Sequence, residues 1–287
     1  MAERDKYQGG VPAWCPGCGN FAILRAFKEA LAEENIEPGE FCIVSGIGQA
    51  GKFPHYVRCN TFNGLHGRSL PVATGIKLAN HDMLVMAVGG DGDMYGEGGN
   101  HLMHAMRRNI GIKVFVHDNQ IYGLTKGQAS PTSMEGMVTK VQPFGVFSGQ
   151  FNPMAMAVSL DCGFVARGYA GDHEHLKGLI RQAIRHPGFS LVDILQPCVS
   201  FNKVNTYEWY AQRVYDVGDG HDPTDRGRSF VKALEWGDRI PIGIIYRNDR
   251  RSFESRIPVL NKGTLIDHVI DWETLKKKLA ETLHEFY

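Results

Sequence analysis

The sequence predicts an α/β domain with a parallel sheet flanked by helices. Three observations carry this. Apolar runs of strand length alternate with helical apolar stripes through the first two-thirds of the chain, the pattern of βαβ units with right-handed crossovers. The run at 83–88 is apolar throughout, as a strand covered on both faces requires. Glycine-rich and acidic loops follow the runs, where ligands gather at the carboxyl ends of such strands.

The elements follow in order. From Asn20, read as a helix cap, the residues Ile23, Leu24, Phe27, Ala30 and Leu31 form one apolar face. Residues 41–45 (Phe-Cys-Ile-Val-Ser) read as a short buried strand that runs into the loop Gly46-Ile47-Gly48. A second helix spans 70–80, and the strand at 83–88 follows it. A helix through His101, Met103 and Met106 leads to a strand at 112–117. Residues 118–137 read as a long polar loop. Beyond it the pattern gives helix 154–160, strand 164–167, helix 173–185 and strand 190–195, which ends at Gln196-Pro197-Cys198. After Cys198 the texture changes. Residues 202–220 are aromatic and polar with weak periodicity; a helix at 229–235, a strand at 242–247 and an amphipathic helix at 272–286 follow. This part reads as a region added to the domain, packing on it or on a partner.

Composition narrows the class. With 287 residues, 43% apolar and 22% charged, the chain can bury a substantial core. The formal net charge is zero, so no basic surplus points to nucleic acid or a membrane surface. No apolar stretch reaches the ~18 residues of a membrane span. Residues 1–10 are polar, with no signal-peptide core. The six cysteines are therefore expected in a reducing cytoplasm, as metal ligands or core residues rather than disulfides.

Gly90-Asp91-Gly92-Asp93 ends one strand, and Asn119 ends the next, 28 positions after Asp91. Mg²⁺ takes octahedral oxygen ligands, commonly one or two protein groups plus phosphate oxygens. A carboxylate and an amide oxygen on neighbouring strand ends can meet one such ion, while Gly90 and Gly92 let backbone approach a diphosphate. Asp91 is the expected first ligand, Asn119 the second and the carbonyl of Ile121 the third. Gly-Asp-Gly alone could equally be a tight turn; the Asp118-Asn119 pair after the next strand decides between them.

Cys15-Pro16-Gly17-Cys18-Gly19 is a metal knuckle, with two thiolates that reach one ion or one cluster. Cys42, inside a strand, and Cys162, among apolar neighbours, read as small hydrophobes. Cys59, in a polar loop, and Cys198, after a strand end, are placed to leave the core. Spacing alone does not separate structural zinc from a [4Fe–4S] cluster.

The order of Trp14-Cys15-Pro16-Gly17-Cys18-Gly19, Ser45-Gly46-Ile47-Gly48, Leu65-His66-Gly67-Arg68, Gly90-Asp91-Gly92-Asp93 and Asp118-Asn119-Gln120-Ile121-Tyr122-Gly123-Leu124-Thr125 resembles the β subunit of 2-oxoacid:ferredoxin oxidoreductases. The resemblance runs from about Trp14 to Val199 and more weakly into residues 235–243. It implies a thiamine-diphosphate-binding fold over residues 1–199, carrying Mg²⁺ and a [4Fe–4S] cluster, with residues 200–287 as a C-terminal extension. It implies oxidative decarboxylation of a 2-oxoacid with coenzyme A, giving an acyl-CoA, CO₂ and reduced ferredoxin. It favours the cluster over zinc. Family members often carry a cluster cysteine just after the Gly-Ile-Gly loop; here Gln49 stands there, which leaves Cys59 as the expected third ligand beside Cys15, Cys18 and Cys198.

The resemblance also implies the cofactor cradle: Gly46, Ile47, Gly48, His66, Gly90, Asp91, Gly92, Asp93, Asn119, Ile121, Gly123, Leu124 and Thr125. His66 is a candidate proton shuttle. Lys126 lies in a segment that marks relatives taking 2-oxoglutarate or a broader range of oxoacids, since a distal carboxylate needs a cationic partner. Lys52 and Arg68 are further cations near the strand ends. The expected substrate is 2-oxoglutarate, yielding succinyl-CoA, ahead of pyruvate; indolepyruvate and oxalate are further members of the same chemistry. Thiamine enzymes need a second module for the aminopyrimidine ring and its activating glutamate, so an α-type (or fused γα) subunit is the expected partner, with ferredoxin as electron acceptor. The reading of another class is a non-catalytic, zinc-stabilised partner protein.

Overall fold

The computed structural model describes residues 5–268 and 271–286. The first four positions of the polar N-terminal stretch lie outside them. Helix α1, Gly19–Glu33, buries Ile23, Leu24, Phe27, Ala30 and Leu31, as the periodicity requires. Its start differs from the expectation. Cys18, not Asn20, is the capping residue, and no side chain caps the helix. The knuckle turn and the Gly19 N–H, which donates to the Pro197 carbonyl at 3.4 Å, fix that end instead. Asn20 lies inside the helix, buried, with its Oδ1 2.6 Å from His117 Nδ1.

Strands β1 (Phe41–Ser45), β2 (Asn60–Asn63), β3 (Leu84–Gly90), β4 (Ile112–Asp118), β5 (Phe164–Tyr169), β6 (Ser190–Leu195), β7 (Val214–Asp216) and β8 (Ile240–Arg247) form one sheet among the described residues. Their order is β2-β1-β3-β4-β6-β5-β8-β7. All pairs are parallel except β5–β8, where Phe164 faces Arg247 and a bulge falls between Val165 and Ala166. The sheet is thus mostly parallel, as expected; apolar patterning carries no strand direction, so the one antiparallel pair, which mixed sheets commonly place toward an edge, is not legible in the sequence.

Alternate residues of each strand feed opposite faces. Cys42, Val44, Val85, Ala87, Ile112 and Val114 pack under α2 (Ser69–Ala79), α3 (Gly99–Arg108) and α4 (Pro153–Ser159). Phe41, Ile43, Met86, Val88 and Phe115 pack under α1 and α5 (His173–Arg185). Burying both faces explains the continuous apolar runs.

The segment after residue 199 joins this sheet through β7 and β8. It contributes α6 (Tyr207–Ala211) and α7 (Arg226–Ala233), and a cluster of Tyr169, Leu195, Tyr210, Ile240 and Ile242 ties it to β5 and β6. Helix α8 (Trp272–His284) buries no residue. No described helix is long and apolar enough to cross a membrane.

Candidate active site

From β1 the chain turns outward to β2 and then crosses back to β3 on the other side. That reversal opens a crevice between the carboxyl ends of β1 and β3, the place where doubly wound sheets take ligands. A cavity of about 90 Å³ lies there. Every predicted cofactor residue except Gly46 lines it: Ile47, Gly48, His66, Gly90, Asp91, Gly92, Asp93, Asn119, Ile121, Gly123, Leu124 and Thr125. Gln49, Ala50 and Tyr122 line it as well and were not foreseen as site residues. A larger groove of about 710 Å³ beneath residues 141–151 shares Tyr122 but has no carboxylate among its walls, whereas Asp91 and Asp93 line the smaller one.

Asp91 is 1% exposed. Its Oδ2 accepts from the hydroxyls of Ser130 and, at 2.7 Å, Thr132. Thr132 Oγ1 is also 2.7 Å from Asp118 Oδ1. One hydroxyl carries one proton, so it cannot donate to both carboxylates. Burial pushes both carboxyls up, Asp118 well up, with Asp193 and Asp91 adding like charge beside it. A proton on Asp118, the carboxyl pushed further up, would let it donate to Thr132 and leave the Thr132 proton for Asp91. Behind Asp118 the polar chain continues: Asp193 accepts from Tyr95 Oη at 2.7 Å and from Arg167 Nε at 3.1 Å.

Asn119 Oδ1 accepts from the Ile121 N–H at 3.1 Å, and its Nδ2 donates to Gln196 Oε1 at 3.2 Å. Asp91, Asn119 and Ile121 thus share one cavity wall and offer a carboxylate, an amide oxygen and a backbone carbonyl. That oxygen set suits Mg²⁺ with diphosphate oxygens completing the shell. The glycines suit the diphosphate. A Cβ on Gly48 would meet nothing within 4 Å, and one on Gly90 only the His117 carbonyl at 3.9 Å, so the backbone there faces open space.

Asp93 has a different task from Asp91. Its Oδ1 accepts from Ile47 N–H at 3.1 Å and Gly67 N–H at 2.8 Å, and lies 2.6 Å from His66 Nδ1. It draws two loops onto the end of β3. Gly46 serves that packing rather than the cavity, because a Cβ there would sit 2.3 Å from the Asp93 carboxylate. His66 also meets the Tyr122 ring edge-on at 6.1 Å. Of the four predicted catalytic side chains, His66 lines the cavity; Lys126, Arg68 and Lys52 do not. Lys126 is exposed and left-handed (φ 81°) in the turn closed by Tyr122 and Gln128. Arg68 is exposed near His101, and Lys52 is half-buried after the Gly46–Gly48 loop.

The thiols of Cys15, Cys18 and Cys198 are electrostatic neighbours. Burial pushes Cys18 up to about 11, and the other two thiols push the same way. Gln196 Nε2 donates to Cys18 Sγ at 3.3 Å, which keeps the knuckle beside Cys198. Cys59 does not join them. Its thiol leans on the Val57 carbonyl at 3.8 Å with Cys42 as its sulfur neighbour, and burial pushes it up to about 12. The expectation that Cys59 completes the set is corrected on that ground: the start of β2 turns its side chain toward the sheet. Cys42 and Cys162 are buried in the core, as expected. Tetrahedral zinc, with bonds of about 2.3 Å, would hold thiolates roughly 3.8 Å apart. Among the described residues, three ligating atoms gather within 4.8 Å at Glu29, His173 and Glu174, not at the cysteines. Three thiols brought to one place are a donor set that fits a [4Fe–4S] cluster as well as a metal ion.

Two family descriptions match the chain. "Thiamine pyrophosphate enzyme, C-terminal TPP binding domain" matches residues 46–194, and the C-terminal part of the "Pyruvate ferredoxin oxidoreductase beta subunit" matches 198–262. The 2-oxoacid:ferredoxin oxidoreductase subunit beta of Sulfolobus sp is 46% identical over 279 residues, covering 92% of this chain and 91% of that protein. The 2-oxoglutarate oxidoreductase subunit KorB of Mycobacterium tuberculosis is 44% identical over 189 residues, 66% of this chain and 51% of its own length. Among solved structures, 2-oxoglutarate:ferredoxin oxidoreductase from Magnetococcus marinus, with 2-oxoglutarate, coenzyme A and succinyl-CoA bound, superposes with a TM-score of 0.90 at 34% identity, over 96% of this chain and 95% of the matched chain.

Proposed function

This chain belongs to the β subunits of 2-oxoacid:ferredoxin oxidoreductases, a thiamine diphosphate enzyme family, and we propose that it holds the diphosphate end of the cofactor through Mg²⁺ on Asp91, Asn119 and the Ile121 carbonyl. The observation that carries this is the convergence of those three groups with the Gly48 and Gly90 backbone in one cavity at the β1–β3 crevice. Bound there, thiamine diphosphate supplies the electron sink for decarboxylation. The chain's own residues do the rest of the holding. Thr132 and Ser130 aim the Asp91 carboxylate, and Asp93 fixes the Ile47 and His66 loops. His66, with Nδ1 engaged by Asp93, presents Nε2 as the group that moves a proton at the substrate.

A cavity of about 90 Å³ takes part of such a cofactor, and apolar Ile47 and Leu124 on its lining stand exposed. As a β subunit the chain works with an α-type partner; we assign to that partner the aminopyrimidine side, its activating glutamate and the coenzyme A site. Cys15, Cys18 and Cys198 would hold a [4Fe–4S] cluster, which would supply one-electron transfer toward ferredoxin. Such a cluster and six unpaired thiols suit the reducing cytoplasm. The substrate is 2-oxoglutarate, converted to succinyl-CoA and CO₂, a reading supported by similar proteins named for that oxoacid. Lys126 reads its distal carboxylate once the partner covers the rim.

The test is ferredoxin reduction by the anaerobically purified, co-expressed complex with coenzyme A, comparing 2-oxoglutarate and pyruvate. Preference for pyruvate would overturn the substrate assignment. Full activity of this chain alone would overturn the division of labour. A colourless protein with stoichiometric zinc would overturn the cluster and favour the non-catalytic alternative. Lys126→Ala is expected to lose 2-oxoglutarate turnover selectively; equal loss on both oxoacids would remove Lys126 as the carboxylate reader.

A further inference from the structure

We propose that the cluster site has three thiolates, from Cys15, Cys18 and Cys198, and that its fourth corner faces the side-chain amide of Gln49 rather than a sulfur. The inference rests on the cluster reading above and adds to it which iron is loosely held. The other three thiols are committed elsewhere: Cys42 and Cys162 in the core, Cys59 against Val57 beside Cys42. Gln49 is tied to the knuckle by its backbone, because the indole of Trp14, the residue before Cys15, donates to the Gln49 carbonyl at 2.8 Å. Its side-chain Oε1 is buried and has no hydrogen-bond partner among the described residues. An unpaired buried amide oxygen is costly unless something is bound to it. Gln49 also lines the cofactor cavity, so the corner it faces lies on the side from which electrons arrive.

The chemistry follows. A neutral amide oxygen is a harder and weaker ligand for iron than a thiolate. One thiolate fewer also leaves the cluster less negative, which raises its reduction potential. The iron at that corner is then labile to oxidation. With ferricyanide as the one-electron oxidant, [4Fe–4S]²⁺ gives [3Fe–4S]⁺, one ferrous ion and one electron, and the electron reduces ferricyanide to ferrocyanide.

The experiment uses the co-expressed, anaerobically purified complex, with iron counting and electron paramagnetic resonance before and after ferricyanide. The unaltered protein is expected to lose one iron per cluster and to show the three-iron signal, both reversed by ferrous ion and dithionite. Gln49→Cys is expected to keep all its iron and to titrate at a lower potential, and Cys59→Ser to behave like the unaltered protein. Retention of four irons through oxidation in the unaltered protein, or loss of the cluster in Cys59→Ser, would overturn the proposal alone. A complex isolated without iron would overturn both the proposal and the cluster reading beneath it.

Discussion

His66 Nδ1 lies 2.6 Å from Asp93 Oδ1 at the wall of the cofactor cavity. The same oxygen holds the Ile47 and Gly67 amides, so one carboxylate sets both the loop after β1 and the histidine. The two residues should therefore separate on mutation. Asp93→Asn weakens bonds to a charged acceptor, each on the order of 1.5–3 kcal/mol. It is expected to lower the thermal midpoint by roughly 5 °C or more and to weaken thiamine diphosphate binding, both measurable by calorimetry. His66→Gln is expected to leave the midpoint nearly unchanged while kcat falls about 10²–10⁴-fold. An unaltered kcat in His66→Gln would reduce His66 to a packing residue.

Thr132 makes a second separable contribution. Its hydroxyl stands between Asp91 and Asp118 at 2.7 Å from each. Thr132→Val keeps the shape and removes the hydroxyl that bridges the two carboxyls, leaving Ser130 alone on Asp91. Groups behind a metal ligand commonly tune affinity about 10–100-fold, and a loss of that size is expected in the Mg²⁺ requirement for activity. Saturating Mg²⁺ should restore most of the rate. A rate that Mg²⁺ cannot restore would place Thr132 in the fold rather than behind the ion.

This bridge also shows where sequence reading stops. Gly90-Asp91 and Asn119 are legible because each follows an apolar run that must be a buried strand, and strand ends are where ligands sit. Ser130 and Thr132 are 39 and 41 positions from Asp91, in a loop whose polar residues carry no period. Arg167 and Asp193 lie on adjacent strands that read as core; only their pairing register makes them partners. Strand β2 is four exposed residues, Asn-Thr-Phe-Asn, with no apolar signal. Cys59 and Cys198 look equally free in the sequence, since local polarity does not reveal which way a strand end turns its side chains. Gln49 carries no signal from its own neighbours; its backbone link to Trp14 is set by tertiary packing.

The Arg167–Asp193 pair, 2% and 0% exposed in its side chains, predicts a large stability effect. Asp193 also binds Tyr95, and the Arg167 guanidinium lies 5.2 Å from the Trp236 ring centre, so the pair joins the sheet to the added C-terminal segment. Arg167→Met leaves a buried carboxylate unpaired, which costs about 3–5 kcal/mol. Urea unfolding should report that loss. The double variant Arg167→Met, Asp193→Leu is expected to recover much of it, because removing both charges removes the unpaired one. Equal destabilisation of the single and double variants would show that packing, not charge, dominates.

Lys113 provides a pH test at the opposite, amino-terminal end of the sheet. Its ammonium donates to the carbonyls of His186 and, at 2.8 Å, Gly188. Burial pulls it down to about 7, with Lys77 pushing the same way and Glu254 opposing. Between about pH 7 and its ordinary value of 10.5, the unfolded chain binds a proton that the native chain does not. Stability therefore rises with pH across that window, by at most about 1.4 kcal/mol per unit for this one group. Below about pH 7 both states carry the proton and the penalty is constant. Lys113→Met removes this contribution, so the difference in unfolding free energy between variant and unaltered protein should change steadily from pH 7 to 10, as read by urea titrations at each pH. A difference independent of pH would mean that Lys113 stays protonated in the native state, its charge neutralised by Glu254 rather than shed.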